Sequence, residues 1–208
     1  MQLTITTFLS VDGVMQGPGG PDEDRSDGFD RGGWLVPHFD EATGHFITET
    51  FDKADAFLLG RRTYEIFAGY WPKVTDPEDP VAARLNTLPK YVVSTRLRSA
   101  DWQNSKIIKG DIAAEVASLK ALPGREFQVH GSGVLARTLL ENDLVDEWRL
   151  LVFPVIVGAG RRLFPDLGVA TGLRLVDSRT TGSGTAIHVY QPTGRPEFGE
   201  VDPPPGSA

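Results

Sequence analysis

The chain contains no cysteine, which excludes disulfides, thiolate metal sites and a cysteine nucleophile. No apolar run approaches the ~20 residues that cross a bilayer. The N-terminus, MQLTITTFLSVDG, has neither the basic start nor the long apolar stretch of a secretory signal. Basic residues are in the minority, 21 Lys and Arg against 28 Asp and Glu, for a net charge of −7. That balance argues against nucleic acid as the main partner, which favours a broad basic surface, yet leaves room for a small basic pocket around one anion. Internal repeats are absent as well. What remains, 208 residues of which 40% are hydrophobic, suits one globular domain with a sizeable core. The expectation is a soluble cytoplasmic protein whose partner is a small molecule rather than nucleic acid or membrane.

Along the chain, apolar β-branched runs alternate with segments of helical spacing. Leu3–Ser10 reads as a buried strand. The following stretch to Gly33 is a long loop dense in glycine and acid, of the kind that serves either as a lid or as a surface insertion. Trp34 to Phe51 reads as a helix starting near Pro37, with Phe39 and Phe46 sharing its inner face, and Asp55–Leu59 as the second strand. Tyr64, Phe67, Ala68 and Trp71 then fall at helical spacing until Pro72, and residues 73–80 form an acidic, proline-rich loop. Lys90–Thr95 is a third strand. Asp111 is the N-cap of a helix carrying Ile112, Val116 and Leu119 on one face. Phe127–His130 is a fourth strand, followed by a helix with Val134, Leu135, Thr138 and Leu139 turned inward. Trp148–Phe153 is a fifth strand, and Leu173–Val176 with Thr185–Tyr190 form a closing antiparallel pair across the turn 181–184. Residues 193–208, rich in proline and glycine, are expected to be a disordered tail on a domain spanning 1–192. The pattern predicts an α/β mixed, mainly parallel sheet flanked by helices, with antiparallel C-terminal edge strands.

In such sheets ligands gather at the carboxyl ends of the strands, and three short motifs lie there. Gly60-Arg61-Arg62-Thr63 follows the second strand and opens a helix. The glycine allows a sharp turn, Thr63 can cap the helix or hold a phosphate, and the two guanidinium groups suit a phosphate monoester. Read blandly, the same residues are a helix start with two solvated arginines. His130-Gly131-Ser132-Gly133, leading into Val134 and Leu135, is a second cradle, where two glycines let the backbone approach a pyrophosphate. It lacks the Gly-x-Gly-x-x-Gly spacing, because position 136 is Ala, so the fold is not Rossmann. Ser94-Thr95-Arg96 ends the third strand, and Arg96 can join Arg61 and Arg62 around a 2′-phosphate, favouring NADP over NAD. Asp12, after Leu9 and Ser10 at the end of the first strand, can orient a substrate or relay a proton, or it can simply form an Asp-Gly turn with Gly13. Glu41 and His45 share a helix face but carry no recognised metal signature, and no metal is expected. Val155–Phe164, rich in glycine and arginine, can touch a substrate phosphate, a partner subunit, or only its own loop.

Five collinear pieces, SVDGVMQG, LLGRRTYE, YVVST, VHGSGVLARTLL and FPVIVGAGRRLF, resemble the dihydrofolate reductase-like superfamily. The resemblance is closest to the reductase domain of the riboflavin-biosynthesis deaminase-reductases, whose reaction reduces 5-amino-6-(5-phosphoribosylamino)uracil. It covers roughly residues 1–192. It implies NADPH across the strand ends, with Arg61 or Arg62 and Arg96 at the 2′-phosphate. Thr63 and the Gly131–Gly133 turn then meet the pyrophosphate, and the nicotinamide lies by Phe8 to Ser10. It also implies a homodimer. Two departures stand out. Dihydrofolate reductases carry an acid just after a Trp-x-x-Pro stretch, whereas here Trp34-Leu-Val-Pro37 is followed by Phe39 at the aligned position, with Asp40 one step on. The deaminase half and its zinc cysteines are absent. The expected function is an NADPH-dependent reductase passing hydride to a carbonyl or imine of a small pterin-, pyrimidine- or sugar-like substrate, with Asp12 beside the reacting centre and loop 17–33 covering the site. A true dihydrofolate reductase using Asp40 and a non-catalytic NADP-binding homodimer are the alternatives.

Overall fold

Near-continuous apolar runs dictate strands buried on both faces, and they converge on one eight-stranded sheet. The structure is a computed structural model describing residues 1–165 and 169–201. At its centre lies β1 (Gln2–Ser10), flanked by β5 (Glu126–His130) and β6 (Glu147–Phe153), both parallel to it. Beyond β5 come β2 (Ala54–Gly60), β3 (Lys90–Val93) and β4 (Ser105–Ile108), again parallel. On the other side β6 pairs antiparallel with β8 (Ala186–Gly194), and β8 with β7 (Gly172–Thr180) at the edge. The spatial order is β4-β3-β2-β5-β1-β6-β8-β7. The mixed, mainly parallel sheet with antiparallel C-terminal strands is therefore as the residue pattern predicts.

Alternation along each strand divides the core. Leu3, Ile5, Phe127 and Val129 pack on one face against α4 (Ile112–Lys120) and α5 (Gly133–Glu141). On the other face, Phe57, Leu59 and Val92 pack beneath α1 (Glu41–Asp52), α2 (Arg61–Tyr70) and α3 (Pro80–Thr87), next to a second apolar cluster around Trp34, Phe46 and Phe153. Asp111 caps α4 through the Ala114 N–H, as expected, and Ile112, Val116 and Leu119 all join the core.

Several local readings need correction. The helix expected from Pro37 starts later. Val36–His38 is a single 3₁₀ turn, Phe39 is extended, and Asp40 caps α1 through the Thr43 amide and hydroxyl. Phe39 consequently leaves the inner face and stands 47% exposed. The capping carboxylate of Asp40 sets the helix start three residues beyond the proline that suggested one. In α5 the buried residues are Leu135, Ala136, Leu139 and Leu140, while Val134 is 67% exposed. Its N-cap, Ser132, sets the helix phase differently from a count begun at Val134. Strand β3 ends at Val93, two residues early, because the Ser94 hydroxyl accepts from the amides of Arg96 and Leu97 and turns the chain. The short elements α3 and β4 carry too few periodic residues to be legible. Strand β8 runs through Thr193 and Gly194, so the tail begins later than residue 193, and residues 202–208 of it lie outside the described residues.

A buried ion pair lies within the sheet. Arg149 on β6 makes two hydrogen bonds to Glu126 on β5, at 2.9 and 2.8 Å, and two to Glu147, at 2.9 and 2.7 Å. Burial works against ionisation of Glu126, but Arg149 outweighs it and holds the carboxyl below its usual range. Removing one member of such a pair strands the other charge in the interior. Arg149→Met is expected to lower unfolding free energy in guanidinium titrations by about 3–5 kcal/mol. Arg125→Met, which breaks the more exposed pair with Asp55, should cost about 1 kcal/mol or less.

Candidate functional site

The parallel register of β2, β5 and β1 places three strand exits side by side, and there a cleft of about 1830 Å³ opens. Ser132 joins two of the exits. Its hydroxyl accepts from the Gly60 N–H at 3.0 Å and donates to the His130 carbonyl at 3.0 Å, while its own N–H donates to Thr63 Oγ1 at 3.1 Å. Holding this position requires two consecutive left-handed residues, Gly131 and Ser132, each with φ of 56°. Glycine adopts that conformation freely, whereas serine is strained there and is kept by its three hydrogen bonds.

The helix starts at this edge differ from the others. Asp40, Asp79 and Asp111 cap α1, α3 and α4 with their side chains. Helices α2 and α5 start at the cleft on Gly60 and Ser132, and neither has a side-chain cap or an acid in its first turn. Their leading N–H groups therefore remain available to an anion. The first-turn N–H groups left free, at Arg61 to Thr63 on one corner and Gly133 to Leu135 on the other, fit the pyrophosphate of a dinucleotide, while Gly60 and Gly131, whose own N–H groups are donated to Ser132 and Thr6, shape the two turns along the cleft. Met15 rests on Gly133, where an added Cβ would come within 2.6 Å of its sulfur.

Positive charge surrounds the same edge. Arg61, Arg62 and Arg96 all line the cleft, as do Ser94 and Thr95. Arg61 pairs with Glu65 at 2.6 Å and Arg62 lies 3.8 Å from Asp27, while Arg96 has no acidic partner among the described residues. Ser132 and Val134 also line the cleft.

Leu9, Ser10 and Asp12 lie elsewhere. Leu9 is in the core, and β1 presents Thr6, Thr7 and Phe8 to the cleft instead. Ser10 donates to Asp12 at 2.7 Å and accepts from the Val14 N–H. The Asp12 carboxylate also accepts from the amides of Val157 and Gly158, at 3.0 and 2.9 Å, with Arg162 at 3.4 Å. The Ser10 hydroxyl, with those backbone amides, pulls Asp12 down to about 2 despite opposing desolvation. It is a clamp between the end of β1 and loop 155–162. Asp40 is similarly committed. Besides Thr43 it accepts from the Ser183 N–H, and these bonds hold it well below the usual carboxylate range.

Loop 17–33 does cover one side, and Gln16 to Asp24 contribute to the lining. It is tied down by Arg161, which bonds to Asp24, to Asp27 at 2.8 Å and to Ser26 at 2.8 Å. Burial pushes the Glu23 carboxyl up, against hydrogen bonds from Gly19 and Gly20. Glu41 and His45 form a 3.5 Å pair on an exposed helix face. Arg137 also lines the cleft. The sequence hides it, because the expected phase of α5 turned Val134, three residues earlier on the same face, toward the core. His130 ends β5 and heads the second motif, as the sequence indicates, but the sequence assigns its side chain no role. It is buried, stacked on Phe51 at 4.3 Å, and desolvation pushes it down to about 3, with a smaller contribution from Arg149.

Because the folded protein refuses a proton that the unfolded chain accepts below about 6.5, His130 contributes stability that is complete above that pH and declines as pH falls toward 3. Wild type should lose about 2 kcal/mol between pH 7 and 4.5 in urea titrations, and His130→Phe should lose less. Asp12 adds a further loss only as the pH falls from 3.8 toward 2.

The family model for the RibD C-terminal domain matches residues 1–187. Two proteins of Bacillus subtilis (strain 168) are similar. The uncharacterized protein YyaP is 34% identical over 69% of this chain and 77% of its own, and the uncharacterized protein YwjB is 27% identical over 74% and 83%. Among solved structures, a candidate riboflavin biosynthesis protein from Shewanella sp. PV-4 matches 93% of this chain and 99% of its own, with TM-score 0.70 and 20% identity. A pyrimidine reductase-like protein from Corynebacterium diphtheriae matches 92% and 91%, with TM-score 0.59 and 13% identity. Acinetobacter baumannii RibD matches 92% of this chain and 58% of its own, with TM-score 0.60 and 11% identity. No helix among the described residues is long and apolar enough to cross a membrane. The chain belongs to the RibD C-terminal domain family, a reductase-like family with the dihydrofolate reductase-like fold.

Proposed function

We propose that this chain is an NADPH-dependent reductase acting on a carbonyl or imine of a small polar, pterin-, pyrimidine- or sugar-like molecule, in riboflavin-type metabolism. One observation carries the reading: two helix N-termini without side-chain caps are stitched together at the edge of a cleft that three arginines also line. When bound, the cofactor supplies hydride. The chain's residues do the rest. The first turns of α2 and α5 donate to the diphosphate, and Arg61, Arg62 and Arg96 hold the 2′-phosphate. Thr6, Thr7 and Phe8 form the wall at the end of β1, and loop 17–33 excludes water from it. Asp12 acts as a positioning residue for loop 155–162. Glu23 lines the cleft, and burial raises its carboxyl above the ordinary range, the direction that suits proton donation. The alternative folate-reductase reading loses support because Asp40 is occupied as a helix cap.

Replacing Arg61, Arg62 and Arg96 singly by Ala should weaken NADPH binding in calorimetry by roughly 1.5–3 kcal/mol each and leave NADH binding nearly unchanged. Unaltered NADPH affinity in all three would refute the 2′-phosphate assignment.

A homodimer is part of the same proposal. Strand β7 is a nine-residue sheet edge bearing Leu173, Leu175 and Val176, which are 39–51% exposed, and bare edges of this kind seek a partner. Light scattering is expected to give twice the chain mass, and Leu175→Lys should shift it toward the monomer.

A further inference from the structure

A line of buried polar side chains runs through the sheet and ends in the cleft. Glu126, Gln128 and His130 alternate along β5, so they share one face. Arg149 on β6 holds Glu126 with two hydrogen bonds and keeps it ionised, so Glu126 can only accept. The Gln128 side-chain nitrogen donates to Glu126 Oε2 at 2.7 Å and to the Thr50 carbonyl at 2.6 Å. Both of those partners are acceptors, which decides which end of the amide is NH₂. The Gln128 oxygen consequently faces His130 Nε2, at 3.0 Å. An amide oxygen can only accept, so Nε2 must carry the ring proton. The ring lies against both Phe51 and Phe57, at 4.3 and 5.8 Å, where a second proton would be poorly solvated.

The other ring nitrogen, Nδ1, has no partner among the described residues, nor is it one of the sealed, unmatched atoms. Nδ1 therefore keeps a reachable edge, and His130 is among the residues that line the cleft. Thr6 sits directly across from His130 in the β1–β5 register and also lines the cleft, and its hydroxyl is buried without a partner. Thr6 and His130, partners in the strand register that both line the cleft, thus each carry an unmatched polar atom, and such atoms ordinarily have a partner.

We propose that the Arg149–Glu126–Gln128 ladder locks His130 as the neutral Nε2–H tautomer, so that Nδ1 serves as the hydrogen-bond acceptor for an N–H or O–H donor on the substrate. His130 is then a specificity-determining residue and Gln128 a positioning residue. A neutral lone pair welcomes a cyclic amide N–H and repels a carboxylate or phosphate, so the reacting end of the substrate must be an uncharged donor while its anionic parts turn to the arginines. The tautomer stands on the hydrogen bonds alone, and only the substrate half rests on the reductase reading.

The test is nitrogen NMR of the full chain labelled with ¹⁵N-histidine, with His130→Phe assigning the signals. At pH 7 the expected His130 pattern is a protonated Nε2 and a bare Nδ1. Gln128→Met should scramble this into a tautomer mixture. If that variant fails to fold, the wild-type spectrum still decides, because an Nδ1–H tautomer or an imidazolium overturns the proposal. Uracil, a cyclic amide, and 1,3-dimethyluracil, which has no N–H, are then titrated with NADPH present and absent. An Nδ1 shift with uracil alone supports the acceptor role, and no shift, or equal shifts with both, overturns it. Calorimetry with NADPH on the same samples separates the two readings: the locked tautomer without NADPH binding would refute the reductase proposal and leave the ladder standing.

Discussion

The hydroxyl of Ser132 ties the end of β5 to the end of β2, and the geometry of the cleft depends on that tie. Parallel strands pair through their backbones along their length, but their exits are free to diverge. Here the Gly60 amide, the Thr63 hydroxyl and the His130 carbonyl all meet one residue. The leading turns of α2 and α5 are thereby held close together, at a cost in backbone strain at Ser132 that neighbouring contacts offset.

Charge is distributed to match. Aspartates neutralise the helix starts away from the cleft, and none does so at the two starts that line it. A net-acidic chain thus keeps a local positive field where strand exits, helix dipoles and three arginines coincide. The acids nearest the cleft are largely engaged: Asp24 and Asp27 by Arg161, Glu65 by Arg61. Loop 17–33, glycine-rich and long enough to move, is held in place by these pairs and by Gln16, whose side chain bridges Asp24, Ser26 and the Arg161 amide.

Much of this was legible in the residues. Strands β1, β2, β5 and β6 announce themselves as apolar runs, and the arginine and glycine motifs sit at their ends. Short elements did not show, since α3 and β4 offer too few periods to separate from loop. Asp12 illustrates the harder failure. Its place after a strand suggests chemistry, yet what it does depends on amides 145 and 146 residues away, which local pattern cannot reveal. His130 is the converse: unremarkable in a row of small residues, it gains its character from Gln128, Phe51 and burial.

The sequence by itself determined the sheet, the corners that follow its strands and the sign of the charge beside them, because periodicity, glycine placement and side-chain type act over a few neighbouring residues. Only the tertiary structure decided which polar groups are spent on each other and which are left facing the cleft. Hydrogen-bond partners, desolvation and tautomer arise from contacts between segments far apart in the chain, and those exist only once the sheet has assembled.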